Sequence, residues 1–199
     1  PCFQADGNLL RSRVLDALRL HSVLAAAEGG AAALGLARRR CRSVRVEKAE
    51  GLEVGRIGIE AQIENAMGLT MVDEIAAASP RVETIIFGPA DFMASINMKS
   101  LVVGEQPPGY DVGDAYHYIL MRILMAARAY DKQAIDGPYL QIKDLDGYTR
   151  VAERSAALGF DGKWVLHPDQ IAAANEIFSP RQDDYDHAEL ILDSYEWYT

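Results

Sequence analysis

Two acidic residues, Glu64 and Asp91, have the chemistry of metal ligands and lie at or just past the ends of apolar segments. They are 27 residues apart, close to the length of one strand–helix unit. On neighbouring parallel strands, about 4.8 Å apart, two such carboxylates can converge on one cation. Mg²⁺ suits one or two carboxylates completed by waters and substrate oxygens. The alternative is that each carboxylate caps the helix that follows it.

The elements that must position this pair are predicted from apolar periodicity and breaker residues. A strand is predicted to begin at Ile57 and to end near Glu64, and the next covers 84–87 and meets the breaker pair Gly88–Pro89. Further short strands are predicted over 133–135 and 163–166. Helices are predicted over 67–78, 115–130, 146–158, 169–177 and 183–198, and a long loop rich in Gly and Pro is predicted over 97–113.

Alternation of strands and helices predicts an α/β fold with a parallel sheet. The repeat length is close to the roughly 31 residues per unit of a (β/α)₈ barrel, although a doubly wound sheet gives similar spacing. Polar residues at or after the strand ends favour the barrel, because barrel enzymes keep their chemistry at the carboxyl ends of their strands. These residues are Glu64, Asp91, Asp136 and His167.

The first quarter of the chain is less regular. Residues 8–28 have helical periodicity, 31–40 are rich in Ala and end in three Arg, and 43–46 are predicted as a short strand. We therefore separate an irregular or helical segment, 1–56, from a barrel segment, 57–199. Because the first residue is Pro rather than Met, we expect the natural start to lie further upstream.

Charge is unevenly distributed between the two parts of the chain. Residues 1–45 carry eight Arg and three acidic residues, so the remainder carries a net charge of −14 within a total of −9. A basic helix packed on an acidic body explains this, and a targeting segment is the alternative. The overall negative charge disfavours general binding to nucleic acids or anionic membranes.

Two further features concern the compartment. No apolar run approaches the roughly 20 residues that a membrane span needs. Cys2 and Cys41 are the only cysteines, and neither belongs to a CxxC pair. We expect both to be reduced thiols of a cytoplasmic protein.

Four motifs, in order and at suitable spacing, give the chain from about 57 to 182 a family resemblance. It resembles the citrate lyase beta-subunit and malyl-CoA lyase family, also called the HpcH/HpaI-type aldolase family. The loop over 97–113 and the segment Tyr116–Tyr118 resemble the malyl-CoA lyase branch. The motifs are Ile63–Gly68, Phe87–Phe92, Ala134–Tyr139 and Gly159–Ile171, with Phe178–Pro180 after them.

The resemblance implies a TIM (β/α)₈ barrel of the phosphoenolpyruvate/pyruvate type, incomplete at its N-terminal side in this chain. It implies that Glu64 and Asp91 are Mg²⁺ ligands and act in catalysis. It also implies that the backbone around Pro89, Ala90 and Asp91 holds a substrate carboxylate.

The implied reaction is Mg²⁺-dependent carbon–carbon bond chemistry next to a coenzyme A thioester. A 3-hydroxyacyl-CoA such as malyl-CoA, β-methylmalyl-CoA or citramalyl-CoA would be cleaved to an α-keto acid and an acyl-CoA, or formed from them. Mg²⁺ would polarise the keto carbonyl, and preorganised donors would stabilise the enolate. The resemblance also suggests a homotrimer or homohexamer. A thioesterase acting on such esters and a catalytically silent partial barrel are the alternatives.

The resemblance also places two further loops at the barrel mouth. These are the segment from Asp136 to Tyr139 and the loop at His167 and Pro168. For His167 we favour a ring that supports the loop, and the alternative is a direct catalytic role.

Some features depart from the family pattern. Only 63 residues precede Glu64, room for about two strand–helix units. Family members carry an Arg on an early strand that binds the keto acid, and Arg45 lies in a similar sequence context. However, Glu47 stands in place of the usual Asn, and Arg45 is only 19 residues before Glu64. The alternative for Arg45 is a surface residue. The family's C-terminal lid, which can give an acidic residue to a neighbouring subunit, has no counterpart before Thr199.

Overall fold

The computed structural model describes residues 22–25 and 42–198. Cys2, Cys41, the Ala-rich stretch 31–40 and most of the segment with helical periodicity over 8–28 lie outside this part. The predicted helix over 8–28 is wrong at its end, because Ser22–Ala25 form a strand. No helix among the described residues is both long enough and apolar enough to cross a membrane.

The described strands form one parallel sheet whose order in space is their order in the chain. A doubly wound sheet reverses its strand order at a switch point, whereas a barrel places each new strand beside the previous one. The order observed here is consecutive and has no switch point among the described strands. The strands are β1 (Ser22–Ala25), β2 (Ile59–Ile63), β3 (Val82–Phe87), β4 (Gln133–Asp136) and β5 (Gly162–Lys163).

Helices alternate with these strands, as predicted. One predicted helix, 67–78, is interrupted at Met71 and forms two short helices. The described helices are α1 (42–49), α2 (Ala66–Thr70), α3 (Val72–Ala77), α4 (Pro89–Ser95), α5 (His117–Ala129), α6 (Leu145–Leu158), α7 (Ile171–Phe178) and α8 (Gln182–Tyr198), with a 3₁₀ turn at Pro168–Gln170.

Three details differ from the sequence prediction. The strand predicted over 43–46 is wrong, because these residues belong to α1. The strand predicted over 163–166 is reduced to the two residues of β5. Helix α4 was not predicted, because Gly88–Pro89 signals a break. The same proline is favourable as the first residue of a helix, where its missing N–H costs nothing.

The core lies between one face of the sheet and the helices. Alternate residues of β2, Ile59, Ala61 and Ile63, are fully buried and pack in one cluster with α3 and α5. The intervening Glu60 and Gln62 are only partly buried and point to the other face of the sheet. Burial of this apolar stripe fixes the register, because a slip of one residue would turn the polar side chains of Glu60 and Gln62 into the core.

A buried ion pair joins α1 to the amino ends of β2 and β3. The Glu47 side chain is fully buried, and its two carboxylate oxygens accept hydrogen bonds from Arg81 at 2.7 and 2.8 Å. The Ile57 amide also donates to Glu47, at 2.8 Å, and Arg81 donates to the Ile57 carbonyl. The hydrogen bonds from Arg81 lower the pKa of Glu47 to about 2. This pair fixes α1 at the end of the sheet where β2 and β3 begin, which is opposite the end where their carboxyl-terminal residues lie.

Candidate metal centre

Glu64 and Asp91 follow two neighbouring strands, at the end of the sheet where the strands finish, which we call its carboxyl edge. Glu64 directly follows β2, and Asp91 lies in the first turn of α4, which begins two residues after β3 ends. The last residues of the two strands, Ile63 and Phe87, are register partners in the parallel ladder. The structure therefore brings together the two residues that the sequence predicted as ligands.

Gly88 shows how closely the two segments approach each other. A Cβ atom added to Gly88 would lie 2.7 Å from the Glu64 Cβ and 2.6 Å from the Gln62 Nε2. Both distances are shorter than real Cβ contacts, so only glycine leaves room for the Glu64 side chain here. The Gly88 amide also donates to the Ile63 carbonyl at 2.9 Å, which continues the ladder to this point.

The electrostatics of the pair favour a bound cation. Burial, followed by the negative charge of Asp91, raises the pKa of Glu64. Within residues 42–198, neither carboxylate takes part in a hydrogen bond or an ion pair, so the repulsion is not relieved by the described protein. A divalent cation would relieve it.

The donor set indicates which cation fits. The described residues contain no group of three or more His, Cys, Asp or Glu side chains able to hold a metal ion. Structural and catalytic zinc sites need three or four such ligands. Two carboxylates, with waters and substrate oxygens, match the preference of Mg²⁺. The residues present therefore fit the metal that the sequence predicted.

The capping alternative is wrong for Glu64. The cap of α2 is Asn65, whose side-chain oxygen accepts a hydrogen bond from the Gly68 amide at 2.7 Å. Helix α4 has no side-chain cap at Gly88, and Asp91 accepts no hydrogen bond from the described residues. Both carboxylates are thus available for another partner.

The segment from Pro89 to Asp91 provides the first turn of α4. The amides of Ala90 and Asp91 have no intrahelical acceptor, as expected at a helix start, and no side chain of the described residues caps them. Pro89 has no amide hydrogen, so it can position this turn but cannot donate.

Arg45 is not brought to this edge. It is an exposed residue of α1, two positions before Glu47, whose carboxylate is fixed at the amino ends of β2 and β3. Strand β2, about 16 Å long at 3.3 Å per residue, separates that end from Glu64. The structure therefore separates Arg45 from the carboxylate pair.

His167 supports its own loop. Its Nδ1 accepts a hydrogen bond from the Asp169 amide at 3.3 Å, at the start of the 3₁₀ turn. This is the structural role that the sequence favoured for His167.

Sequence reasoning missed a buried cluster behind the same edge. Asp136 forms an ion pair of 2.7 Å with Lys163 and accepts a hydrogen bond of 2.7 Å from Ser155. Lys163 lies in the Gly159–Ile171 motif, but the sequence predicts no role for it. A lysine at the start of the predicted strand over 163–166 was the available signal, because a lysine is almost never fully buried unless it is paired.

A conservative change at Gly88 tests this geometry. Gly88→Ala introduces no backbone strain, because the φ of Gly88 is −104°. We expect the new methyl group to displace Glu64, to cost about 1–3 kcal/mol of stability by overpacking, and to weaken Mg²⁺ binding about tenfold or more. Titration with Mn²⁺, followed by electron paramagnetic resonance, measures the change.

Gly58→Ala is the matched control for this change. The atoms nearest to a Cβ at Gly58 would be those at the flexible end of the Glu83 side chain, near the ends at which the strands begin. Metal affinity should remain close to that of the wild type in this variant. Unchanged affinity in Gly88→Ala would show that Glu64 does not need the space that glycine leaves.

Comparison with known proteins identifies relatives of this chain. The model of the HpcH/HpaI aldolase/citrate lyase family matches residues 30–168. The L-malyl-CoA/beta-methylmalyl-CoA lyase of Cereibacter sphaeroides is 36% identical over 159 residues, which cover 76% of this chain and 50% of that protein. The citrate lyase subunit beta of Escherichia coli is 33% identical over 153 residues, covering 77% and 48%. The chain thus spans about half the length of these relatives.

A solved structure supports the same relationship. Protein CitE from Mycobacterium tuberculosis, in complex with magnesium and acetoacetate, superposes with a TM-score of 0.62 at 27% sequence identity. The match covers 94% of this chain and 72% of that chain. The related protein therefore shares the fold and was crystallised with a divalent cation and a keto acid.

Proposed function

Because the chain belongs to the HpcH/HpaI aldolase/citrate lyase family, we propose that it provides the metal-binding part of a Mg²⁺-dependent carbon–carbon lyase. The substrate would be a 3-hydroxyacyl-CoA such as malyl-CoA, β-methylmalyl-CoA or citramalyl-CoA. The observation that carries the proposal is the pair of carboxylates, Glu64 and Asp91, at one edge of the sheet without a counter-charge from the described residues.

In this proposal the five consecutive strands are part of a (β/α)₈ barrel of the phosphoenolpyruvate/pyruvate type. The consecutive parallel order supports a barrel rather than a doubly wound sheet. The proposed site then lies at the carboxyl ends of β2 and β3, the end at which barrel enzymes carry their chemistry.

The proposal gives a role to each residue of the site. Glu64 and Asp91 would hold Mg²⁺, which when bound supplies Lewis-acid polarisation of the keto carbonyl. The Ala90 and Asp91 amides would bind the carboxylate of the keto acid, because they are uncapped donors at a helix start. Pro89 would fix the backbone of that turn.

The proposed reaction can run as cleavage or as condensation. In cleavage, the hydroxyl group of the substrate loses its proton and the carbon–carbon bond breaks. The electron pair of that bond passes to the thioester enolate, whose carbon then takes up a proton to give the acyl-CoA, and the oxygen becomes the keto group. In condensation, the acyl-CoA loses a proton at that carbon, the resulting enolate attacks the keto carbon, and the keto oxygen takes up a proton to become the hydroxyl group. Selection of the acyl chain rests on pocket shape, because one methylene changes discrimination by only about 1–3 kcal/mol.

A condensation assay tests the proposal. The protein is incubated with glyoxylate, Mg²⁺ and either acetyl-CoA or propionyl-CoA, and the hydroxyacyl-CoA product is detected by mass spectrometry. We expect product with Mg²⁺ and none after EDTA. Product formation that EDTA does not affect would contradict the proposal. Release of free CoA from the hydroxyacyl-CoA, without keto acid, would show a thioesterase instead.

A further inference from the structure

Asp136, at the end of β4, and Lys163, at the end of β5, form a buried charged network. The Lys163 and Asp136 side chains are 4% and 3% exposed, and they form an ion pair of 2.7 Å. The same lysine amine donates to the Gly137 carbonyl at 2.6 Å, and the Asp136 carboxylate accepts from the Gly137 amide at 2.8 Å. Both polar groups of the Gly137 residue are therefore held by one ion pair.

Stability alone is a weak reason for such a pair. Burial lowers the pKa of Lys163, which shows that the charged amine is held there against a desolvation cost. Replacing a buried ion pair by apolar side chains of similar volume is often neutral or stabilising. The contacts of both charged groups with Gly137 therefore point to a role in geometry.

Gly137 transmits that geometry to the start of α4. A Cβ atom on Gly137 would lie 2.3 Å from the Pro89 Cδ and 2.4 Å from the Phe87 carbonyl oxygen. The Gly137 backbone is thus in direct contact with the proline that begins α4 and with the last residue of β3. Asp91 lies only two residues beyond that proline.

The space between the network and α4 is nearly filled. The cavity that Pro89 shares with Asp136 and Lys163 has a volume of about 10 Å³, room for about one water molecule. Because the Gly137 backbone already touches Pro89, a shift of Gly137 would be passed to Pro89.

We propose that Lys163 and Asp136 are positioning residues that set the place of Asp91 through Gly137 and Pro89, and thereby set the affinity of the site for its divalent cation. The inference rests on the proposed function, since it assumes that Asp91 is a metal ligand. Loss of residues that orient metal ligands typically weakens metal binding about 10- to 100-fold.

The test compares Mn²⁺ binding by the wild type with that of Lys163→Met, which removes the amine and keeps much of the volume. We expect the Mn²⁺ dissociation constant to rise about 10- to 100-fold. Because a single change leaves Asp136 buried and unpaired, the double variant Lys163→Met with Asp136→Leu is measured as well. It removes both charges, so it should recover stability in urea unfolding but should still bind Mn²⁺ weakly.

Arg128→Met is the matched control. Arg128 donates ion-pair hydrogen bonds of 2.8 and 2.9 Å to Asp161. The Asp161 carboxylate also accepts a hydrogen bond from the Ala134 amide of β4. This change also converts a paired cation to methionine, but it does not touch Gly137 or Pro89. Its Mn²⁺ affinity should stay close to that of the wild type.

The outcomes separate this inference from the proposed function. If the wild type binds Mn²⁺ and the folded Lys163 single and double variants bind it equally well, the positioning role is wrong and the proposed function stands. If the wild type itself binds no Mn²⁺, both are wrong. If Arg128→Met weakens binding as much as Lys163→Met, the effect is general destabilisation, and the positioning role is wrong.

Discussion

Replacing Asp91 with alanine is expected to abolish Mg²⁺-dependent condensation and to weaken divalent metal binding by more than about a hundredfold, because even supporting residues of metal sites are worth 10- to 100-fold. Lewis-acid polarisation contributes several kcal/mol to the transition state. Each 1.4 kcal/mol is about a factor of ten in rate, so the activity should fall roughly a thousandfold or more. Glu64→Gln should have an effect of similar size. Initial rates and Mn²⁺ titration measure both.

A second readout distinguishes a metal site from a structural contact. The negative charge of Asp91 contributes to the raised pKa of Glu64 in the metal-free protein. Asp91→Asn should therefore relieve repulsion and leave the metal-free protein at least as stable as the wild type in urea unfolding. Glu74→Gln is the control, since Glu74 is an exposed acidic residue of α3. Condensation that persists in Asp91→Ala would contradict the assignment of this carboxylate.

Breaking the buried pair at the amino edge should have the largest effect on stability. Glu47→Ala leaves the Arg81 guanidinium and the Ile57 amide without their carboxylate partner. Removing one member of a buried ion pair typically costs about 3–5 kcal/mol. Urea unfolding followed by circular dichroism measures the loss. Glu50→Gln is the control, since Glu50 is exposed just after α1. Equal unfolding midpoints for Glu47→Ala and Glu50→Gln would contradict the structural role of the pair.

The pH dependence of stability gives an independent check on Glu47. Its pKa is about 2 in the folded protein, against an ordinary value of 4.5. Because the folded pKa is the lower one, the contribution of Glu47 is fully present above about pH 4.5 and is lost as the pH falls toward 2. The Glu47→Ala variant should therefore lack this component of the acid-induced loss of stability. Wild-type and variant curves that stay parallel through this window would contradict the interpretation.

Local signals were sufficient to place the carboxylate pair. Strand β2 ends at Ile63, next to Glu64, and β3 ends just before the Gly88–Pro89 pair, as predicted, so Glu64 and Asp91 follow the same ends of neighbouring strands. Helix α6 ends at Leu158, as predicted, and Gly159 caps it in the left-handed conformation at φ +103°.

Tertiary contacts decided what the local signals did not. The β-branched Val44 and Val46 favour a strand, but these residues are helical, and α1 is fixed by the contact of Glu47 with Arg81, which is 34 positions away. Asp136 and Lys163 are 27 positions apart, and they pair because the fold brings their side chains together. A propensity pattern carries no information about such contacts.

The most direct measurement of the central claim is a crystal structure of the protein soaked in Mn²⁺, with anomalous diffraction collected to locate the metal. We expect one anomalous peak that contacts an oxygen of Glu64 and an oxygen of Asp91, at a distance close to the ~2.1 Å that Mg²⁺ adopts. A peak at another place in the molecule, or carboxylates too far apart to share one ion, would contradict the assignment of this edge as the metal site.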